Sequence, residues 1–351
     1  MPEDDPAHGG GRRRLQHPHR PGPAGSLRPG LRFPLPLHKN AEGAALAPES
    51  LKPPILAIVG PTASGKTELA VALAGALDGE ILSADMGQLY RKLNAATAKP
   101  AKDISVAYHG VDILDPEESS DAGSFANFGD PLLAEIRARG KLPILAGGAG
   151  LYIRALLEGL DALPQRDDQF RERLKKRAED EGREILYKEL QAIDPVAAKG
   201  IPANNINRVT RALEVHHLTG KPISSFWERQ RRPPKHPAVY IAIQWEPEVL
   251  RTRIRERAEA MFPALLKEVQ SLVPEFYLGM EPGFRCLGYP EAVACVRGEL
   301  QEDQALEAMI KTTNAYAKRQ RTWFRRQVDA IWLTPGDDLA ERAERAYREK
   351  L

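Results

Sequence analysis

Cysteine is nearly missing from this 351-residue chain, which has only Cys286 and Cys295. Two thiols nine positions apart form neither a zinc pattern nor a disulfide framework, and they suit a reducing compartment. Long apolar runs are missing too, and no stretch approaches the roughly 18 residues of a spanning helix. Nor is there an excess of charge: 50 Lys and Arg stand against 48 Asp and Glu, leaving +2. An acidic partner must therefore be met by local basic patches rather than by a global field. These absences exclude a disulfide-stapled scaffold and a helical membrane protein. The expectation is a cytoplasmic protein with no membrane partner, long enough for one large or two modest cores.

What is present changes character along the chain. The first 52 residues begin MPEDDPAHGGGRRRLQHPHRPGPAGSLRPG, rich in Gly, Pro, Arg and His and without an apolar period. Such a segment cannot bury enough surface to offset its ordering entropy and reads as a disordered tail. It lacks the apolar core of a signal peptide. Arg12, Arg13 and Arg14 leave open a loose RNA-attracting arm. From Pro53 onward, apolar strands alternate with helices. Ile55–Val59 leads into a glycine loop and a helix over Lys66–Leu77; a strand at Glu80–Ser83 ends near Asp85. Leu142–Gly148 and His236–Trp245 read as further strands. This alternation implies a parallel α/β sheet with helices on both faces. Ligands collect at the carboxyl ends of such strands, so Gly60, Asp85 and Gly147-Gly148 are expected around one site. Between 163 and 235 the pattern is charged and helical. The expected organisation is a P-loop core over 53–162 and 236–335, a helical insertion over 163–235, and a C-terminal tail over 336–351. After the last strand the remainder reads as helical, ending in a long helix over Asp303–Arg326.

The stretch GPTASGKT, comprising Gly60, Pro61, Thr62, Ala63, Ser64, Gly65, Lys66 and Thr67, fits the phosphate-loop pattern G-x-x-x-x-G-K-[ST]. Its glycines let backbone N–H groups point at an anion, and the following helix N-terminus adds favourable dipole charge. Lys66 would neutralise phosphate oxygens and the Thr67 hydroxyl would ligate Mg²⁺. The pattern alone leaves three uses open: a nucleotide to be hydrolysed, a kinase donor, or a diphosphate leaving group. Asp85 at the next strand end is a candidate general base, or merely a carboxylate capping a turn. Thr97 and Lys99 bring a hydroxyl and a cation just before Pro100.

Eight ordered landmarks carry a resemblance. They are GPTASGKT, the Ser83–Tyr90 segment, TAKP at Thr97–Pro100, YHGVDILDP at Tyr108–Pro116, and the GG-x-GLY element at Gly147–Tyr152. RVTRALEVHHLTGKPIS at Arg208–Ser224, LGYPEA at Leu287–Ala292 and YAKRQRTWFRR at Tyr316–Arg326 complete the series. Over about four-fifths of its length the chain resembles the bacterial tRNA dimethylallyltransferases. The resemblance implies transfer of a dimethylallyl group from dimethylallyl diphosphate to N6 of adenosine 37 beside the anticodon, with diphosphate released and Mg²⁺ as cofactor. It implies that the loop holds the departing diphosphate, helped by Arg257, and that Asp85 takes the amine proton. It places Asp85, Met86, Gly87, Gln88 and Ala149 at the target base. It assigns Arg171, Asn207, Arg208, Val209, Thr210, Arg211, Arg285, Cys286, Leu287, Gly288, Tyr289 and Pro290 to the tRNA anticodon stem-loop. The base would have to leave its stack to reach the site. Independently, Lys311, Lys318, Arg319, Arg321, Arg325 and Arg326 interleave with Tyr316, Trp323 and Phe324, a composition that suits a phosphate backbone and its bases. A monomer is expected.

The chain also departs from that pattern. Met86-Gly87 replace a Ser and a variable residue, Ala149 a Thr, Asn94 an Asp, and Pro290 a Lys or Arg. Two lost hydroxyls would slow turnover by roughly ten- to a hundredfold if their effects add, and Gly87 is expected to loosen its turn. Rival readings are a P-loop small-molecule kinase, a prenyltransferase acting on free adenylate, and a tRNA-binding homologue with impaired catalysis.

Overall fold

The computed structural model describes residues 53–101, 104–161, 163–231 and 233–351, so the expected tail and its arginine cluster lie outside the described residues. Six strands form one parallel sheet: β1 (Ile55–Val59), β2 (Gly79–Ser83), β3 (Tyr108–His109), β4 (Leu142–Gly147), β5 (Ala238–Ile243) and β6 (Ala330–Leu333). Their order is β3-β2-β4-β1-β5-β6. The helices are α1 (Lys66–Ala76), α2 (Ala122–Ala138), α3 (Gly150–Glu158), α4 (Asp168–Asp180), α5 (Arg183–Ile193), α6 (Pro195–Gly200), α7 (Ile206–Thr219), α8 (Pro247–Leu272), α9 (Tyr289–Val296), α10 (Glu302–Gln327) and α11 (Leu339–Arg348). The expected P-loop α/β fold is the one observed.

The central strand shows why the sequence takes this form. All five residues of β1 are apolar and wholly buried, as parallel strands covered on both faces require. Ile55, Ala57 and Val59 face one apolar layer with α2, α3, α8, α9 and α10. Leu56 and Ile58 face the other, built with Leu69 and Leu73 of α1 and Ala343 and Tyr347 of α11. Val59 aligns with Gly147 of β4 and with Ala242 of β5, so the turns leaving β1 and β4 emerge side by side.

Two expectations at the carboxyl end need correction. The residues after β5 are not all helical, because β6 adds an edge strand beside β5. Nor is 336–351 a mere tail: α11 buries Ala343 and Tyr347, and the Tyr347 hydroxyl donates to the Pro54 carbonyl at 2.6 Å. That hydrogen bond ties the end of the chain to the start of the sheet.

Helices α4 to α7 form an apolar cluster of their own around Leu174, Leu186, Leu190, Val209 and Leu213. Inside it the fully buried Glu214 accepts from Arg171 Nε and Nη2, both at 2.7 Å, from the Asp167 N–H at 2.9 Å, and from Arg211. Burial by itself raises this carboxyl, but the two arginines and the backbone donor outweigh it and bring Glu214 down to about 2. Its folded pKa lies below the ordinary value, so its stabilisation is complete at neutral pH and fades as pH falls from about 4.5 toward about 2. Glu214→Ala is expected to cost about 2 kcal/mol. That is less than the roughly 3–5 kcal/mol of a fully buried broken pair, because both arginines keep about a quarter of their surface in water. Thermal melting at pH 7 checks the cost. The segment rejoins the core where Asp130 of α2 meets Lys235 Nζ and His236 Nε2, each at 2.7 Å.

Candidate active site

The loop after β1 is shaped by what its carbonyls do. Gly60 and Gly65 have φ of 142° and 91°, values open to glycine, and Ala63 is held at 61°. The Pro61 carbonyl accepts from Lys66 Nζ at 2.7 Å, the Ala63 carbonyl from Arg253 Nε at 3.1 Å, and the Ser64 carbonyl from Trp245 Nε1 at 3.0 Å. Arg253 also lies over the Trp245 ring at 4.3 Å, so the two braces support each other. With these carbonyls engaged, the loop's N–H groups around the start of α1 are left for an anion.

This loop forms one wall of a cleft of about 1950 Å³. Thr62 to Thr67 line it together with Asp85, Met86, Gly87 and Gln88 from the end of β2, Arg257 of α8, and Thr312, Tyr316 and Arg319 of α10. Gly147, Arg285, Cys286 and Leu287 also line it. Desolvation brings the Lys66 ammonium down to about 8, with Asp85 pulling it up and Arg257 pushing it further down. Both neighbours therefore sense the same lysine. One oxygen of Asp85 accepts the Gly87 N–H at 3.0 Å, so Asp85 caps the short turn that follows it. The two sequence readings of this residue are compatible: the carboxylate caps the turn and also lines the cleft. Tyr108, on β3, also lines the cleft. Burial pushes the Tyr108 and Tyr316 hydroxyls well above the usual range, so both stay protonated. Burial likewise pushes the Cys286 thiol up to about 12, leaving an inert wall residue.

A sequence profile of the IPP transferase family matches residues 88–327. The chain belongs to this family. The tRNA dimethylallyltransferase of Methylococcus capsulatus is 41% identical over 308 residues, spanning 85% of this chain and 98% of the relative. The crystal structure of a tRNA isopentenylpyrophosphate transferase from Bacillus halodurans is 33% identical with TM-score 0.62, over 85% of this chain and 96% of that one. A second such structure, from Staphylococcus epidermidis, is 32% identical with TM-score 0.63, over 86% and 100% respectively.

Measured against what this family membership leads one to expect, the site residues divide into three groups. Lys66, Thr67, Asp85, Arg257, Arg285 and Leu287 share the cleft. Asn207 and Arg208 are exposed on α7, outside the cleft lining, and Thr210 is half-buried beside them. In the third group the side chains make contacts within the protein. Val209 and Tyr289 are fully buried, and the Tyr289 hydroxyl donates to Glu268 at 2.7 Å. Arg171 and Arg211 are held by Glu214. Gln88 is buried, accepting from Ser83 Oγ at 2.7 Å and donating to the Ala98 carbonyl at 2.8 Å. The Thr97 hydroxyl donates to the Leu93 carbonyl at 2.8 Å, and Lys99 ties Tyr90, Asn94 and Asp112 together. Gly288, at φ 88°, precedes α9, whose first turn carries the exposed Pro290. Proline suits that position because it has no N–H to leave unpaired.

Two departures from the family pattern also look different in three dimensions. At Gly87 a Cβ would lie 3.2 Å from Thr97 Cγ2, so the glycine also permits a close approach. Ala149 precedes α3 without any side-chain cap, where a hydroxyl would satisfy an orphan N–H. Sequence reasoning missed Arg253, Trp245, Tyr108 and Gln320 as parts of the site. Arg253 and Trp245 are ordinary residue types in charged or apolar runs, and Tyr108 opened a landmark in which it was given no role. Gln320 sat within a landmark that was read only for its cations and aromatics.

Proposed function

We propose that the chain transfers a dimethylallyl group from dimethylallyl diphosphate to N6 of the adenosine beside a tRNA anticodon, releasing diphosphate. The observation that carries this reading is the shared cleft: the phosphate-loop residues Thr62 to Thr67 and the strand-end carboxylate of Asp85 line one cavity. In the reaction the allylic C–O bond breaks, the electron pair leaves with the diphosphate, and the N6 lone pair forms the new C–N bond. Lys66, Arg257 and the loop N–H groups stabilise the departing charge. Asp85 holds the amine and accepts its proton. The exposed cations of α10 and of the α4–α7 segment suit the RNA backbone.

Mg²⁺ fits the donors present. Among the described residues there is no group of three or more His, Cys, Asp or Glu side chains that could hold a metal. Mg²⁺ is commonly held by few protein oxygens together with substrate phosphates and water. Thr67 would supply the protein oxygen, and the ion would neutralise diphosphate charge.

The test is transfer of labelled dimethylallyl diphosphate to an anticodon stem-loop with adenosine beside the anticodon, run with and without Mg²⁺. Label is expected in that RNA and not in one carrying guanosine at the same position. A stem-loop that shifts on a gel yet never gains label would overturn the enzyme reading and leave an RNA-binding protein.

A further inference from the structure

Gln320 lies near the carboxyl end of α10, with 5% of its surface exposed. Its side-chain carbonyl accepts the Thr62 N–H at 2.8 Å, and its side-chain NH₂ donates to the Gly148 carbonyl at 3.0 Å. Thr62 belongs to the loop leaving β1 and Gly148 to the turn leaving β4, and these strands are neighbours. The carboxamide offers one acceptor and one donor to two backbone groups, as a peptide group would. It therefore extends the pairing of β1 and β4 beyond the point where the strands end. Its orientation is fixed, because the Thr62 N–H can only donate and the Gly148 carbonyl can only accept.

The surroundings are shaped to this amide. A Cβ on Gly148 would fall 1.9 Å from the Gln320 nitrogen, so only glycine admits the side chain. A Cβ on Gly150 would fall 2.3 Å from the Trp323 ring, so the same helix face seats against the start of α3. Tyr316 and Arg319, one turn or less before Gln320, line the cleft. One face of α10 therefore walls the cleft and grips both strand-end turns. The Thr62 N–H is drawn aside to α10, while Lys66, Arg253 and Trp245 hold the loop's carbonyls.

We propose that Gln320 is a positioning residue for the phosphate loop, setting its shape for the diphosphate and fixing it to α10. This rests on the reading that the loop holds the donor's diphosphate. Loss of the amide should therefore weaken donor binding and leave RNA binding alone, since Gln320 offers the RNA no surface.

The experiment compares wild type, Gln320→Leu and Gln320→Glu in the full chain. It reads KM for dimethylallyl diphosphate, Mg²⁺-dependent binding of inorganic pyrophosphate by calorimetry, stem-loop affinity, and thermal melting. Gln320→Leu keeps the volume and removes both hydrogen bonds. Two buried backbone groups left unpaired should raise donor KM and the pyrophosphate Kd by about tenfold or more, with stem-loop affinity within about twofold. Gln320→Glu separates positioning from bulk packing. A neutral carboxylic acid can accept from Thr62 and donate to Gly148, whereas a carboxylate sets an oxygen against the Gly148 carbonyl. Donor affinity relative to wild type should therefore recover as pH falls from 8 to 5.5. Taking the ratio removes the pH dependence that both proteins share, that of Lys66 included, in the common setting of the Asp85, Arg253, Arg257 and Arg319 charges around the cleft. Wild-type donor affinity in Gln320→Leu would overturn the proposal. So would an equal loss of stem-loop affinity, or a pH-independent ratio for Gln320→Glu. Wild type that binds no pyrophosphate would instead overturn the diphosphate reading itself, and is distinguished because it appears without any substitution.

Discussion

Changing Lys66 to methionine is expected to slow single-turnover transfer roughly a hundred- to a thousandfold, the usual loss when one stabiliser of developing oxyanion charge is removed. Methionine keeps most of the stem but loses the Nζ hydrogen bond to the Pro61 carbonyl, while Arg253 and Trp245 still hold the Ala63 and Ser64 carbonyls. The ammonium is poised for this role because it is desolvated before the donor arrives. Its pKa of about 8 lies below the ordinary 10.5, the direction expected for a buried cation. A bound diphosphate favours the charged form and must raise that pKa, so between about pH 8 and 10.5 binding should take up a proton. The donor's own phosphates are already ionised there, their last pKa being about 6. Calorimetry at pH 9 in two buffers of different ionisation heat should show the uptake in wild type, and Lys66→Met should lose it. Donor affinity should likewise fall as pH rises through 8 in wild type alone. Equal uptake in both proteins would assign the proton to another group.

The distribution of what could be read from the sequence follows from range. Parallel strands covered on both faces are rich in apolar residues, so the wholly buried β1 and β4 were visible, as were Ile81-Leu82 of β2 and the partly buried β5. The loop after β1 was visible because its pattern is local. The edge strand β6 was not: its four residues are only half-buried and follow directly on a 26-residue helix. Helix α11 was missed because its buried residues, Ala343 and Tyr347, sit in a short charged segment at the chain end. In the site, the residues at strand ends were legible, but the groups that shape the loop were not. Gln320, Arg253 and Trp245 act on loop residues 258, 190 and 181 positions away in sequence. No local pattern encodes such partners. Direction is the other missing quantity. Val209 and Tyr289 lie next to the exposed Arg208 and Pro290 in the chain but turn into the core, and Arg171 and Arg211 spend their charge on a glutamate whose burial the sequence does not reveal.

Exchanging Asp85 for asparagine should reduce transfer by roughly a hundred- to ten-thousandfold, the range for loss of a general base, with stem-loop affinity unchanged. The substitution isolates the proton-accepting role because of how Asp85 is held. One carboxylate oxygen accepts the Gly87 N–H at 3.0 Å, and an asparagine carbonyl can make the same bond. The turn over Met86–Leu89 should therefore survive, and with it the placement of Met86 and Gly87 on the cleft wall. Asp85→Ala removes the cap as well and should cost about a further 1 kcal/mol of stability. If the two variants lose transfer equally while only the alanine melts early, the carboxylate acts on the reaction and its cap serves the fold. If the asparagine variant transfers at the wild-type rate, the N6 proton leaves by another route. Asp85 would then be a turn cap that happens to face the cleft, and a new base would have to be sought among groups able to lose a proton near neutrality. The Tyr108, Tyr316 and Cys286 protons are all held too tightly for that, so the acceptors to test would be the other carboxylates lining the cleft, Glu68 and Glu256, and the departing diphosphate itself.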